Sequence, residues 1–178
     1  SEVEELVERV KRLIDEIRKR VTDSVEESKR LIKEIKEEVD RLAEEDKRLN
    51  ERIKETIRRR KEKEILERLR EELDKSLERV EREIEKLIRR LEKLNKESKD
   101  RSEELVRELE KLLEKVKTDG LEERIVKKLE EEIRKIIKEI RELNKRSEDE
   151  TKKIVDEARK ILEDLRRENE DTKRKITE

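Results

Sequence analysis

A single glycine and no proline punctuate this chain of 178 residues. These two residue types most often end a helix, so Gly120 marks the clearest place where the chain can turn. A second interruption falls at residues 58–64, where seven consecutive charged residues break the surrounding apolar pattern. Because these two points divide the chain into three segments of nearly equal length, the sequence predicts helices at about 2–58, 63–117 and 120–177.

Apolar residues recur at alternating steps of three and four along each segment, the heptad pattern of helices that pack in coiled-coil fashion. Further apolar residues lie one position off this stripe, and a stripe so widened is typical of a helix that contacts two neighbours. The pattern predicts an all-α fold: a long antiparallel up-down-up three-helix bundle with coiled-coil-like packing, forming a single elongated helical domain over residues 1–178. The first segment carries its stripe at Val3, Val7, Val10, Ile14, Ile17 and Val21.

Charged residues make up 61% of the chain and hydrophobic residues 29%, against roughly 25% and 45 to 50% in ordinary globular proteins. So few apolar residues cannot fill a wide core, but they suffice for helices that each bury one stripe. The chain also contains no Pro, Cys, Met, Phe, Trp, Tyr, His or Gln. Runs such as residues 87–94 and 133–140 combine Leu and Ile cores with Glu, Lys and Arg surfaces.

In these features the whole chain resembles computationally designed (de novo) helical bundles and coiled coils. The resemblance implies a designed structural scaffold with no natural biochemical function. The alternative is a helical interaction module that self-associates or pairs with a partner helix. The off-stripe apolar residues would either line an outer groove or supply the third contact of a closed bundle. They include Ile65, Leu77, Ile88, Val106, Leu113, Ile137 and Leu162.

Charge and residue usage argue against several functional classes. Lys and Arg total 54 against 55 Asp and Glu, with the signs interspersed, whereas a nucleic-acid binder needs a basic face. No apolar run exceeds two residues, so we expect a soluble chain with neither a membrane span nor a targeting segment. Without His or Cys, the usual metal sites, thiol nucleophiles and Ser-His triads are excluded. We expect no enzyme activity, cofactor, metal or required partner, and a homo-oligomer or a designed helical partner stays open.

Polar residues occupy several stripe positions. If helices two and three fold just before Gly120, facing positions sum to about 239, and Asn95 lies opposite Asn144. If helices one and two fold about residues 61–62, facing positions sum to about 123, which brings Ser28 level with Asn95. We predict a buried hydrogen-bond layer that sets register, because an unpaired buried amide penalises any slipped arrangement. Its members are Ser28, Asn95, Ser98, Ser102, Asn144, Ser147 and Thr151.

The alternative is that the polar stretches mark loops, because serines in or near them have the sequence pattern of a helix N-terminus. Ser24 is followed three residues later by Glu27, and acidic residues likewise follow Ser102 and Ser147. Breaks at all three places would leave helical pieces of unequal length, which favours continuous helices. A second polar group aligns only to within about a turn of a common level, and the pattern favours a network there less than at the first. That group comprises Asp46, Asn50, Ser76, Asn169 and Thr172.

The turn between helices two and three is predicted at Thr118, Asp119 and Gly120. Either Thr118 or Asp119 is available as the N-cap of helix three, and Glu122 follows Asp119 at the spacing of a capping box. The partner turn near residues 58–64 has no glycine, proline or capping residue. It is predicted from the interrupted stripe and mainly because a single helix over residues 3–117 would run about 170 Å with nothing in its own chain to pack against.

Overall fold

The computed structural model describes residues 2–59, 62–118 and 120–177. Within them the chain forms three α-helices, α1 Glu2–Arg58, α2 Lys63–Thr118 and α3 Glu123–Thr177. The helices pack against one another as an antiparallel up-down-up three-helix bundle with coiled-coil-like packing, which confirms the predicted all-α fold class.

The helix boundaries agree with the sequence at two of the three segments. α1 ends at Arg58 as predicted, and α2 ends at Thr118, one residue beyond the predicted end. α3 begins at Glu123 rather than at residue 120, so that prediction is wrong by three residues. The chain needs the residues after Gly120 to complete its reversal before helical hydrogen bonding resumes.

Each helix runs unbroken through its polar stretch. α1 is helical across Ser24 and Ser28, α2 across residues 95–104, and α3 across residues 144–153. The alternative interpretation, that these residues mark loops, is therefore wrong. Serine and asparagine cost a helix at most about 0.7 kcal/mol each relative to alanine, which is too little to break it between two well-packed apolar stretches.

Contacts between Cα atoms divide the chain into two compact units, and every helix contributes a segment to both. Unit 1 comprises Ser1–Arg30 and Lys93–Glu150, and unit 2 comprises Leu31–Glu92 and Thr151–Glu178. Each unit thus has a three-helix core of its own. That the whole chain forms a single domain stays a prediction.

Aliphatic side chains from all three helices form the core of unit 1. Val10 of α1, Leu109 of α2 and Ile133 of α3 are fully buried in one cluster. A buried Leu, Ile or Val side chain contributes roughly 1.5 to 3 kcal/mol before conformational entropy is subtracted, so these stripes supply most of the stability. The buried members of the cluster are Val10, Ile14, Ile17, Val106, Leu109, Val116, Leu129, Ile133, Ile136, Ile137 and Ile140.

The core of unit 2 is likewise built from aliphatic side chains of all three helices. Ile53 of α1 and Leu73 of α2 are fully buried, and Leu165 of α3 is 1% exposed. Two alanines, Ala43 and Ala158, are also buried here. The remaining buried apolar residues of the unit are Leu31, Ile35, Val39, Leu42, Val80, Ile84, Ile88, Leu91, Ile154, Val155 and Leu162.

The reversal between α1 and α2 lies where the apolar stripe is interrupted. The Arg59 N–H donates to the Glu55 carbonyl oxygen at 3.2 Å and closes the end of α1. The Glu62 carbonyl oxygen accepts two N–H groups from the first turn of α2 at 3.1 and 3.2 Å, so Glu62 holds the N-cap position. Residues 60 and 61 lie outside the described part of the chain. The turn predicted near residues 58–64 is confirmed, since α1 ends and α2 begins within it.

Thr118 is the last residue of α2. Its hydroxyl donates to the carbonyl oxygens of Glu114 and Lys115, each at 3.2 Å. The prediction that Thr118 could cap α3 is therefore wrong, because its hydroxyl is bonded to the preceding helix. Asp119, the other predicted cap, lies outside the described residues.

Gly120 adopts a left-handed backbone conformation with φ of 70°, which side-chain-bearing residues rarely take. Helical hydrogen bonding resumes at Glu122, whose carbonyl oxygen accepts the N–H groups of Ile125 and Val126 at 3.0 Å. Glu122 therefore holds the N-cap position of α3. The prediction placed it three residues inside the helix, as the partner in a capping box.

Replacing Gly120 with alanine should lower the free energy of unfolding by about 1 kcal/mol. No heavy atom of the described residues lies within 4 Å of a Cβ placed there, so the loss arises from the backbone conformation alone. Asparagine tolerates the left-handed region better, so Gly120→Asn should lose less and serves as the matched control. Guanidinium denaturation followed by circular dichroism measures both. An alanine variant as stable as the parent would contradict the left-handed assignment.

Candidate functional site

Polar side chains lie among the apolar stripes in both units, and in unit 1 only Ser28 and Ser102 of the seven named below are buried while the others are half-buried. We call one group the unit 2 network, which comprises Asp46, Asn50, Ser76, Asn169 and Thr172. We call the other the unit 1 layer, which comprises Ser24, Ser28, Asn95, Ser98, Ser102, Asn144 and Ser147. Buried polar groups need hydrogen-bond partners, and no fully enclosed side-chain nitrogen or oxygen in the described residues lacks one.

The unit 2 network joins α1 to α3 through two short hydrogen bonds. Asn50 Nδ2 donates to Asn169 Oδ1 at 2.7 Å. Thr172 Oγ1 donates to Asn50 Oδ1, also at 2.7 Å. All three side chains are fully buried. Both atoms of the Asn50 amide are therefore engaged, and the levels of α1 and α3 are tied together at this point.

Asp46 connects α2 to this network, which otherwise joins α1 to α3. Ser76 Oγ of α2 donates to Asp46 Oδ1 at 2.9 Å, and Asn50 Nδ2 lies 3.2 Å from Asp46 Oδ2. Asn169 Nδ2 makes a longer contact of 3.5 Å with Oδ1. Asp46 itself is 0% exposed. The network therefore links α1, α2 and α3 through one buried carboxyl group.

Burial raises the pKa of Asp46 above its ordinary value of 3.8, since a charged carboxylate is poorly solvated there. Hydrogen bonds from Ser76, Asn169 and Asn50 act in the opposite direction and lower it, but burial is the larger effect. The charged pairs around the network lie at its partly exposed margin. They are Glu45 with Arg79 and Lys54 with Glu168.

The Asn169 amide gives a geometric reason for a proton on Asp46. With its oxygen and nitrogen exchanged, the nitrogen would lie 2.9 Å from Asp46 Oδ2 but also 2.7 Å from Asn50 Nδ2, which sets two N–H donors against each other. In the orientation that the structure has, the Asn169 oxygen accepts a hydrogen bond from Asn50 and faces the Asp46 carboxyl group. A protonated Asp46 satisfies both contacts, because its O–H can donate to the Asn169 oxygen.

The unit 1 layer has fewer direct bonds. Ser147 Oγ of α3 donates to Asn95 Oδ1 of α2 at 3.3 Å. The hydroxyls of Ser24 on α1 and Ser98 on α2 lie 3.1 Å apart and form a hydrogen bond. Ser24 was suggested by the sequence only as a possible helix start, and the structure makes it a member of the layer.

Asn95 and Asn144, which the sequence placed opposite each other, form no direct hydrogen bond with each other. Ser147, about one helical turn further along α3, bonds Asn95 instead. The prediction assumed a reversal just before Gly120, whereas α3 begins only at Glu123, and this raises the sum of facing positions by about two. The Asn95 and Asn144 pairing is corrected for that reason.

The other predicted members are only partly brought together. Ser28 and Ser102 are each 9% exposed and line one pocket with half-buried Asn144. Thr151 is buried, but it belongs to unit 2. Among the described residues, no side-chain hydrogen bond joins Ser28 to the asparagines. The register role of these residues stays a prediction.

Ion pairs between helices lie at the surface. Lys117 Nζ of α2 is 2.8 Å from Glu130 of α3, and this hydrogen bond lowers the pKa of Glu130. In unit 2, Arg166 of α3 is 2.7 Å from Glu81 of α2. Exposed pairs of this kind contribute about 0 to 1 kcal/mol each, so they favour the observed pairing of helices without determining it.

The described residues offer no sign of a metal centre or membrane segment. In residues 2–59, 62–118 and 120–177, no three His, Cys, Asp or Glu side chains are arranged to hold a metal ion. None of the helices in that part of the chain has a stretch long and apolar enough to cross a membrane.

Comparison with solved structures finds a similar chain described as a "Computationally designed three helix bundle". The two sequences are 22% identical, the match covers 99% of this chain and 90% of that one, and the TM-score is 0.42. No protein-family model matches the sequence, and no curated protein matches it.

Asp46 should make the bundle more stable as the pH falls from neutral towards 3.8, the ordinary value of its pKa. Its native pKa is raised, so between that pKa and 3.8 the native state binds more protons than the unfolded state does. The advantage grows by at most about 1.4 kcal/mol per pH unit as the pH falls. Since other carboxyl groups also titrate, the quantity to measure is the stability difference between the parent and Asp46→Asn.

Asp40→Asn is the matched control, because Asp40 is an exposed aspartate on the same helix. Its stability difference from the parent should vary much less between neutral pH and pH 4. The side-chain carboxyl carbon resonance of Asp46 reports the native pKa directly by NMR titration. A midpoint at or below the ordinary value would contradict the raised pKa.

Proposed function

We propose that this chain is a designed structural scaffold with no natural biochemical function, and that its buried polar groups fix the register of its three helices. The observation that carries the proposal is the unit 2 network, in which hydrogen bonds connect all three helices through four fully buried side chains and the half-buried Ser76. A network of this kind is a known device for specifying helix alignment in coiled coils.

The physical argument compares correct and slipped alignments. The apolar stripe repeats every heptad, so a slip of one heptad still packs leucine against leucine. The same slip would separate Asn50 from Asn169 and leave buried amides unpaired, at about 1 to 3 kcal/mol for each group. The polar groups need not add stability to have this effect, since they act by destabilising the alternatives.

Burial of the off-stripe apolar residues supports a bundle that needs no partner. Ile88, Val106, Ile137 and Leu162 are all at most 9% exposed, which supports third contacts within the units. Leu77 and Leu113 of the same group are half-buried. Ile65, at 37%, is the one large hydrophobic residue classed as exposed in the described chain. A surface that binds a partner helix would present a longer apolar stripe.

The same arrangement supports a role without catalysis. The fully buried side chains of the unit 2 network are bonded to one another, and the half-buried Ser76 lines a pocket at the surface of unit 2. General acid and base catalysis needs two groups with separated pKa values beside a bound substrate. Asp46 has a raised pKa, but it is enclosed in the core.

Replacing the whole network with apolar residues should keep or raise stability but loosen register. The variant carries Asp46→Leu, Asn50→Leu, Ser76→Ala, Asn169→Leu and Thr172→Val. Well-packed apolar replacements of buried polar groups are often neutral or stabilising. Spin labels are attached at Lys47→Cys and Arg167→Cys, both exposed in unit 2, and the chain has no other cysteine. The distance between the labels, measured by pulsed electron paramagnetic resonance, reports the alignment of α1 with α3. We expect one narrow distance in the parent and a broad or split distribution in the variant.

A variant with Ile53→Leu and Leu165→Ile controls for repacking, since it changes core shape and keeps every polar group. Its distance distribution should stay narrow. If the all-apolar variant also gives one narrow distance equal to that of the parent, the polar groups do not set register and the proposal fails.

Sedimentation equilibrium should give the mass of a monomer, 21.9 kDa. The proposed scaffold buries its own stripes and so has no reason to associate. A dimer or higher species at micromolar concentration would favour the alternative, a helical interaction module that self-associates. Ile65→Lys tests whether the exposed isoleucine is responsible for any association that is seen.

A further inference from the structure

A pocket of about 110 Å³ lies among the three helices of unit 1. Its lining is rich in hydroxyl and amide groups, and it also includes Val21, Val25 and Leu143. Three charged residues, Lys29, Arg146 and Glu150, complete the wall and are exposed. The polar lining residues are Ser24, Ser28, Ser98, Ser102, Asn144 and Ser147.

Two of these serines are largely buried and have no protein partner for their hydroxyls. Ser28 and Ser102 are each 9% exposed, and in the described residues neither hydroxyl makes a hydrogen bond to the protein. Other hydroxyls in this bundle behave differently, since those of Thr56 and Thr118 donate to carbonyl oxygens four residues earlier in their own helices. Because no fully enclosed oxygen lacks a partner, the Ser28 and Ser102 hydroxyls reach open space, and both residues line this pocket.

Size and chemistry together select the occupant. A water molecule takes about 30 Å³ of liquid volume, so the pocket has room for about three or four. Each needs two to four polar partners, and six hydroxyl- or amide-bearing residues surround the space. An apolar guest would leave Ser28 and Ser102 unpaired. An ionic guest would meet side chains of both signs, Lys29 and Arg146 against Glu150, which favours neither charge.

We propose that this pocket binds a cluster of about three or four water molecules, which bridge Ser28 on α1, Ser102 on α2 and Asn144 on α3. Water-mediated hydrogen bonds thus complete the unit 1 layer, whereas direct hydrogen bonds complete the unit 2 network. The inference rests on the proposed role of buried polar groups and assigns a ligand to the unit 1 layer alone. Water in such a site is enthalpically nearly as good a bridge as a direct hydrogen bond.

Magnetic relaxation dispersion of the water oxygen nucleus counts water molecules held longer than surface hydration. The parent should show about three or four such molecules. Ser28→Val combined with Ser102→Val fills the space and removes both buried hydroxyls, and it should reduce the number at least twofold. Thr56→Val is the matched control, because its hydroxyl donates to the Arg52 carbonyl oxygen in unit 2 and lies outside the pocket. It should leave the number unchanged.

A parent protein with no long-lived water overturns the proposal, and so does a valine variant that keeps the full number while remaining helical by circular dichroism. If the valine variant does not fold, Ser28→Ala with Ser102→Ala removes the same hydroxyls without adding bulk and should lower the number likewise. The result is separable from the register proposal, because the spin-label distances report only the unit 2 network. If the valine variant loses water while the all-apolar network variant keeps one narrow spin-label distance, only the register proposal fails. If the valine variant keeps its water while the network variant gives a broad distribution, only the water proposal fails.

Discussion

Buried amide and carboxyl groups must be hydrogen bonded, and this requirement distinguishes alignments that the apolar stripes alone leave nearly equal. Leu, Ile and Val supply the stability of each unit, but their heptad repeat makes one alignment resemble the next. Asn50 has a single neighbour in α3 that completes its amide, and that neighbour is Asn169. In the proposed function, the stripes hold the helices together and the polar groups select how they meet.

The two polar groups solve the burial problem differently. In unit 2, short bonds of 2.7 Å connect the fully buried Asn50 to Asn169 and to Thr172. In unit 1, the hydrogen bonds from Ser147 to Asn95 and between Ser24 and Ser98 are longer and lie beside a pocket. A network of short bonds among fully buried groups tolerates little displacement, whereas a layer with space for mobile groups can adjust. In the proposed function, the unit 2 network is therefore the stricter constraint on register.

Sequence periodicity was sufficient for the fold and for the α1 to α2 pairing. The predicted folding point agrees to within about one residue with the hydrogen bond from Ser76 to Asp46. The α2 to α3 pairing was missed because Gly120 locates a turn without showing how many residues the chain uses to leave it. The unit 2 network was underrated because its members aligned only to within about a turn of a common level in the sequence, although they included Asp46. Its position on the stripe, four residues before Asn50, was the available signal.

Both α2 and α3 begin at a glutamate, Glu62 and Glu122, in the N-cap position. Serine, asparagine and aspartate satisfy the free N–H groups of a first turn much better than glutamate does. These helix starts therefore have the least local protection in helices that are otherwise long and well packed. Fraying should begin at the two loops and stop where the side chains of the core interlock, so the amides nearest the loops exchange with solvent first while those beside Asn50 and Asn169 persist until global unfolding.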